Sequence, residues 1–228
     1  MYPSVRAAFP AFIRLWEGFI LCMYLDMLGL VTVGFGNLID STTAALALGW
    51  VWKATGAPAS SSAVMAEWTR VKGLQAQRGA GGGHFETDAR LHVTPESLAG
   101  LVTRTLERNA VELSKPGRFP GFPSAPADAQ LALLRMAWAM GYGFVDSTAE
   151  HPSGRWPAFH AAFNACDWMG CSRECRMREE KQPREFVESN AASVVLFENA
   201  CAVWEGNLDR DVIYWPRALL REQPAPSA

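Results

Sequence analysis

The chain has 228 residues, enough for one substantial hydrophobic core, and its 49% hydrophobic content with 9 Trp and 12 Phe indicates a folded globular protein. Its 21 basic and 23 acidic residues give a net charge of −2, which excludes the basic surface expected of a nucleic-acid-binding domain or of a protein that binds anionic membranes. The sequence has no apolar run of the roughly 18 residues that a membrane-spanning helix needs, so no membrane insertion is expected.

The first residues lack the features of a secretory signal. Arg6, Arg14 and Glu17 interrupt each candidate apolar core, and no small-residue cleavage site follows one. We therefore expect synthesis in the cytoplasm without a signal peptide. Action outside the cytoplasm would then require export by another system.

The first elements in chain order are a helix and a β-hairpin. A helix is predicted from Pro10 to about Ile20, because Pro is tolerated at a helix start and apolar residues then recur on one face. Glu17 would lie near the end of this helix. Over residues 22–37 the apolar period changes from helical to alternating and several glycines interrupt it, which favours a hairpin.

The rest of the chain is predicted to be mainly helical. Thr94 as N-cap with Pro95 at the first helical position marks a long helix to about Leu113, and the nearly all-round apolar segment 127–141 marks a helix buried in a bundle. Further helices are predicted after the capping cluster 40–43 and over about 63–77, 156–168, 168–179 and 189–205, and GAGGG at 79–83 is predicted to be a flexible break. The fold class is thus α+β and mostly α, with one small sheet near the N-terminus.

The five cysteines do not form a recognisable framework. Their odd number leaves at least one thiol unpaired, and the C-x4-C-x3-C cluster at 166–175 lacks the paired C-x2-C knuckles of a zinc site. Buried or free thiols fit best, and one disulfide stays open as an alternative. No metal site is expected, and the four histidines share no ligand spacing.

Two faces of the predicted hairpin differ in chemistry. With a turn centred on Gly29, Asp26 would lie opposite Thr32, and Tyr24 would lie opposite Gly34. One face then carries five apolar residues for the core: Met23, Leu25, Val31, Val33 and Phe35. The other face carries the residues that suit a ligand approaching an open backbone floor: Tyr24, Asp26, Thr32, Gly34 and Gly36.

Glu17 and Asp26 form a candidate acid pair. Burial beside apolar neighbours and the negative end of a helix dipole would favour the protonated form of Glu17, whereas Asp26 on the polar face should stay ionised. Asp26 lies three residues before the predicted turn centre, which argues against a role for it as a plain turn residue. Two carboxyl groups with separated proton affinities are what glycoside hydrolysis requires.

The segment WEGFILCMYLDMLGLVTVGFGNLI resembles the signature of phage-type lysozymes, the endolysins of glycoside hydrolase family 24. In that family a Glu, an Asp nine residues on and a Thr six residues further stand where Glu17, Asp26 and Thr32 stand here, within the frame Y-x-D and G-x-x-T-x-G-x-G. More loosely, the segments PADAQLALLRMAWAMG, WPAFHAAFNACDWMGC and NAASVVLFENACAV are similar to lysozyme-like toxin modules of the bacterial type VI secretion system.

The resemblance implies a single lysozyme-like domain over 1–228. Its hairpin lobe would cover about 22–92, its helical lobe about 1–21 plus 93–220, and a cleft would lie between them. It also implies substrate contacts from Tyr24, Gly34, Gly36 and Asn37, although Asn37 stands where the family commonly has His. Ala139 likewise replaces a residue that is often polar in the family.

The implied function is that of a muramidase, which cleaves the β-1,4 bond between N-acetylmuramic acid and N-acetylglucosamine in peptidoglycan. Glu17 would protonate the glycosidic oxygen, while Asp26 with Thr32 would position a water or stabilise the oxocarbenium charge. The family implies inversion of the anomeric centre, and no cofactor is required. Two alternatives remain: a lytic transglycosylase that uses Glu17 alone, and a non-catalytic wall-binding component.

The expected partners follow from the same resemblance. The chain is expected to be a monomer that binds glycan strands in the periplasm or wall of a target cell, as a secreted antibacterial effector. A secretion-system carrier and an immunity protein belong to that setting, and the sequence leaves both unidentified. Neither nucleic acid nor a membrane is an expected partner.

Overall fold

The computed structural model describes residues 1–152, 154–180 and 184–222. The fold is α+β and mostly helical, as predicted, and the chain divides into two compact units. The hairpin unit is Glu17–Arg104, and the helical unit is Met1–Trp16 together with the chain from Thr105 onward. No helix of the described residues is long and apolar enough to cross a membrane.

The hairpin unit contains two small antiparallel sheets. The first is a three-stranded meander of β1 (Ile20–Leu25), β2 (Val31–Gly34) and β3 (Asn37–Leu38), and the second pairs β4 (Trp50–Trp52) with β5 (Leu91–Val93). Short helices lie between these strands: α2 (Thr42–Leu46), α3 (Ser61–Gly73), a 3-10 turn (Gln75–Gln77) and α4 (Gly82–Glu86).

The helical unit is built around α6 (Ala127–Met140), in which every residue from Ala127 to Ala137 is buried. Its other elements are α1 (Pro3–Ile13), the C-terminal part of α5 (Pro95–Leu113), a 3-10 turn (Phe122–Ser124), α7 (Pro157–Asn164), α8 (Trp168–Glu174), α9 (Arg184–Glu205) and α10 (Leu219–Glu222). The buried central helix that the sequence predicted is therefore confirmed. Its apolar residues surround the helix, so only a central position could bury them all.

Two predicted helix starts are also confirmed. The Ser41 hydroxyl accepts the Ala44 N–H and caps α2, while the Thr94 hydroxyl accepts the Ser97 N–H at 3.2 Å ahead of Pro95. Both are N-caps that satisfy backbone donors left free by a helix start.

The first predicted helix is wrong in its limits. Pro3, not Pro10, occupies the first helical position, and α1 ends at Ile13. Arg14 to Trp16 then form a turn closed by the Trp16 N–H to the Ile13 carbonyl at 3.1 Å. The apolar stripe runs on through Phe19 and Ile20, but those two residues lead into β1, and periodicity alone gave no sign of that change.

Other predictions need correction. The helix expected after residue 40 stops at Leu46, and Trp50–Trp52 form a strand that pairs with Leu91–Val93, a second sheet that the sequence reading missed. The GAGGG segment is not a simple break, because α4 begins within it. A Cβ on Gly82 would lie 2.3 Å from the Ile20 side chain, so this glycine allows α4 to pack closely on β1.

The hairpin register differs from the prediction by two residues. Tyr24 pairs with Thr32 and Leu25 with Val31, so the turn is centred on Leu28 and Asp26 lies outside the strand. The turn is closed by the Gly29 N–H to the Asp26 carbonyl at 3.1 Å, with Gly29 at φ 74°. In such loops the glycine with positive φ comes one residue after the turn centre. Placing the turn centre on Gly29 itself therefore shifted the predicted register. The two faces are unchanged, because a shift of two residues preserves the alternation.

Candidate functional site

Glu17 opens the hairpin unit but does not lie on a helix. It is half-buried in a bend four residues after the last residue of α1. The expected contribution of a helix dipole to its protonation therefore does not apply, because that effect falls off within the last turn. The candidate acid is placed instead by the short linker that leads into β1.

Asp26 begins the β1–β2 turn, and its carboxylate organises that turn. Its Oδ1 accepts the N–H groups of Leu28 at 2.8 Å and of Leu30 at 2.9 Å. The prediction that Asp26 is not a turn residue is wrong, since these are the bonds of an Asx turn. The turn role concerns Oδ1, and the carboxylate has further acceptor positions on Oδ2.

Contacts from distant residues hold this turn in place. The Gly29 carbonyl accepts Lys72 Nζ and Gln75 Nε2, each at 3.1 Å, and the Gly79 N–H donates to the Asp26 carbonyl at 3.1 Å. These supporting residues were missed, because no local pattern in the sequence connects positions that are more than 40 residues apart. Gly79 is the first residue of the GAGGG segment, so this segment begins in contact with Asp26.

The start of β2 is fixed by a second carboxylate that the sequence reading did not consider. Asp40 Oδ1 accepts the Val31 N–H at 2.9 Å and Lys72 Nζ at 2.7 Å. Burial alone would raise the pKa of Asp40, but the Lys72 ammonium and the Val31 N–H outweigh it, so the pKa is lowered. The resulting ion pair joins β2 to α3.

Thr32 lies on β2 directly opposite Tyr24 on β1. Its side chain is on the face that was predicted to be polar, yet Thr32 is only 2% exposed and its hydroxyl donates to the Leu30 carbonyl at 3.1 Å. The hydroxyl oxygen keeps its acceptor positions. Thr32 is thus buried on the face that it shares with Tyr24 and is not part of an open floor.

Both candidate carboxyl groups affect the ionisation of Tyr24. Burial raises the pKa of the Tyr24 phenol well above its ordinary value, and the charges of Glu17 and Asp26 raise it further, while a backbone hydrogen bond from Gly36 acts in the opposite direction. The raised pKa keeps the Tyr24 phenol protonated at neutral pH.

The two glycines on this face have different surroundings. Gly34 has φ 68°, and a Cβ there would lie 2.4 Å from Leu98 Cδ1, so this position is packed against α5 and is not an open floor. Gly36 has φ 77°, is exposed, and would meet nothing within 4 Å. The prediction of two open glycines is wrong for Gly34, and both glycines are needed for their backbone conformation.

Asn37 is only 4% exposed and pairs with Val33 in the sheet. Its Oδ1 accepts the Phe35 N–H at 3.3 Å, whereas its Nδ2 has no hydrogen-bond partner within the described residues. A buried amide donor without a partner is costly. The prediction that Asn37 contacts substrate stays a prediction, and the buried position of its amide would require some opening of the site.

The candidate site thus consists of Glu17, Tyr24, Asp26 and Thr32, and the opposite face of the β1–β2 sheet is packed into an apolar core. The core face is confirmed, since the five residues assigned to it are all buried: Met23, Leu25, Val31, Val33 and Phe35. Within the described residues, no three His, Cys, Asp or Glu side chains are gathered as a metal site would need. The five cysteines are free thiols.

Comparison of the chain with protein-family models gives no match, and comparison with curated proteins gives none either.

Proposed function

We propose that the protein is a peptidoglycan hydrolase, a muramidase of lysozyme-like fold with Glu17 as the general acid. The observation that carries this proposal is the β1–β2 hairpin itself, in which Thr32 pairs with Tyr24 and Asp26 begins the turn two residues after Tyr24. The raised pKa of Tyr24, to which burial and then the charges of Glu17 and Asp26 contribute, supports it. The two carboxyl groups with the family spacing both belong to the hairpin unit. A pair of carboxyl groups in one site is the chemical requirement for cleaving a glycosidic bond.

In the proposed reaction Glu17 protonates the leaving glycosidic oxygen. Asp26 acts through Oδ2, because Oδ1 is bonded to the backbone of the turn. It orients a water molecule on the opposite face of the sugar, with assistance from Thr32. An inverting enzyme of this kind has its two carboxyl groups about 6.5–9.5 Å apart, which leaves space for that water.

A lytic transglycosylase is the second candidate, and one observation favours it. The two hydrogen bonds to Asp26 Oδ1 give this residue a structural role that would persist if it took no part in catalysis. Glu17 would then act alone and the muramyl 6-hydroxyl would displace the leaving group. The product would be an anhydro sugar.

Mass spectrometry of digested peptidoglycan separates these reactions. Purified sacculi are incubated with the wild type and with Glu17→Gln, and the soluble muropeptides are compared. The proposal predicts reducing N-acetylmuramic acid ends from the wild type and none above background from the variant. Anhydro ends would assign the transglycosylase reaction, and no soluble product from the wild type would contradict both and favour a wall-binding role.

The setting proposed for this activity is the periplasm or wall of a target cell. The net charge of −2 gives the chain no general attraction to an anionic cell wall. Delivery by a secretion-system carrier would bring the protein to the cell wall without electrostatic attraction. An immunity protein would protect the producing cell. Both partners are part of the proposal.

A further inference from the structure

A polar pocket lies in the helical unit, apart from the residues of the proposed active site. It has a volume of about 350 Å³, within the range of small-molecule sites. Its walls come from the loop after α5, the loop between α6 and α7, and α7 itself, and its polar lining consists of Lys115, Arg118, Asp146, Ser147 and His160.

Arg118 is held rigidly at the centre of this pocket. Its Nε and Nη2 donate to the two oxygens of Asp146 at 2.7 and 2.6 Å, and its Nη1 donates to Glu112 Oε2 at 2.8 Å. The ring of Tyr142 lies 5.0 Å from the guanidinium carbon. Partners at both edges and on one face fix this side chain before any ligand arrives, which lowers the entropic cost of binding.

The loop that carries Asp146 is shaped for this contact. A Cβ on Gly143 would lie 2.8 Å from Asp146 Oδ2 and 3.8 Å from Arg118 Nη2, so glycine allows the carboxylate to reach the guanidinium. The Arg118 hydrogen bonds lower the pKa of Asp146, which keeps it ionised at neutral pH. On the opposite wall His160 Nε2 donates to the Arg118 carbonyl at 2.7 Å, since a carbonyl can only accept.

The charges around the pocket are balanced. Lys115 and Arg118 are matched by Glu112 and Asp146, and each base is paired with at least one of these acids. An incoming anion would meet Asp146, whose side chain is 42% exposed, and an incoming cation would meet Lys115, which is 53% exposed. The arrangement therefore favours a neutral ligand over an ion of either sign.

Unused hydrogen-bonding groups remain at the mouth of the pocket. The exposed Ser147 hydroxyl and one Nη2 hydrogen of Arg118 have no partner within the described residues, and the Asp146 oxygens keep further acceptor positions. Pro116 and Val145 add an apolar strip beside them. Sugar hydroxyls donate and accept at once, so adjacent hydroxyls of a pyranose could bond to a carboxylate and a guanidinium together while its C–H face covers the apolar strip.

We propose that this pocket is a second carbohydrate-binding site, which takes a neutral pyranose residue between Arg118, Asp146 and Ser147. All of its residues belong to the helical unit, so the proposal does not depend on the catalytic roles of Glu17 and Asp26. In a wall-degrading enzyme such a site would retain the glycan strand between successive cleavages.

The test is an amide NMR titration of the full chain with the N-acetylglucosamine trimer, and separately with inorganic phosphate. The trimer is expected to shift the amides of Lys115, Gly117 and Arg118 and of residues 145–147, whereas phosphate leaves them unmoved. Amides around Tyr24 and Thr32 report the active site independently. Binding at the two places, and failure at either, can thus be told apart.

Two variants and one control complete the experiment. Asp146→Asn removes the charged acceptor and is expected to weaken trimer binding at the pocket about tenfold, as the loss of a hydrogen bond to a charged group does. Ser147→Ala removes an exposed hydroxyl without touching the Arg118 network and weakens binding in the same direction. Glu150→Gln, in the same loop but outside the lining, leaves binding unchanged. The proposal is overturned if the trimer shifts none of these amides, if phosphate shifts them instead, or if the two variants bind as the wild type does.

Discussion

Tyr24 lies directly opposite Thr32 in the β1–β2 ladder, and Asp26 follows two residues after Tyr24 at the start of the turn. Cross-strand partners share one face of a sheet, so Tyr24 and Thr32 are neighbours on the same face. The carboxylates of Glu17 and Asp26 both act on the Tyr24 phenol. The hairpin therefore brings Thr32 and Asp26 of the proposed reaction close to Tyr24 along the strands.

The two roles of Asp26 can be separated by two substitutions. Asp26→Asn keeps an oxygen that accepts the Leu28 and Leu30 N–H groups but removes the charge. We expect near wild-type stability and a loss of wall hydrolysis of about a hundredfold or more, as for removal of a general base. Asp26→Ala should lose activity and also about 1–2 kcal/mol of unfolding free energy, because it leaves those two donors unpaired.

Denaturant unfolding and turbidity loss of a wall suspension measure the two effects. The matched control is Asp88→Asn, an exposed aspartate in the same unit. Full activity in Asp26→Asn would show that the carboxylate is only structural, as the transglycosylase alternative requires.

Tyr24 should make stability fall at high pH. Its pKa is raised in the folded state, so the folded protein holds this proton more tightly than the unfolded chain does. The stabilisation is complete below the unfolded tyrosine value of about 10 and is lost as the pH rises from there towards the folded value. Tyr24→Phe should flatten the fall in unfolding free energy between about pH 9 and 11.

Unfolding measured at a series of pH values checks this, with Tyr2→Phe in the helical unit as control. Glu17→Gln should flatten the same curve in part, because it removes one of the charges acting on the phenol while burial remains the larger cause. An unchanged slope in Tyr24→Phe would mean that the phenol is not held as described.

The two glycines of the candidate site should respond differently to alanine. Gly36→Ala introduces only a side chain at positive φ, at a cost of about 1 kcal/mol. Gly34→Ala adds a clash with Leu98 to the same strain and should cost about 2–4 kcal/mol in total. Thermal and denaturant unfolding of both variants test the order, and a Gly36→Ala variant as damaged as Gly34→Ala would contradict it.

The sequence predicted the elements whose signals are local. The α5 start at Thr94 and Pro95, the buried α6 and the apolar face of the hairpin each depend on caps or on periodicity, and each is confirmed. The end of α1 was not predictable in this way, because its apolar stripe continues into a strand with no break in composition.

The candidate site was predictable in its residue types and not in its contacts. Spacing brought Glu17, Asp26 and Thr32 into consideration, and the structure pairs Thr32 with Tyr24 and places Asp26 at the start of the turn that follows. The bonds from Lys72, Gln75 and Gly79 to the turn are long-range, and the Leu98 contact to Gly34 comes from a helix more than 60 residues away. Such contacts depend on tertiary packing, which no local pattern encodes.

The central claim is that Glu17 donates the proton that breaks the glycosidic bond. The most direct test is the rate of reducing-end release from purified peptidoglycan by Glu17→Gln, with Glu96→Gln, an exposed glutamate in the same unit, as control. Loss of a general acid predicts a rate lowered by about a hundredfold to ten-thousandfold, with the control unaffected and both variants folded. A Glu17→Gln protein that releases reducing ends as fast as the wild type would contradict the account.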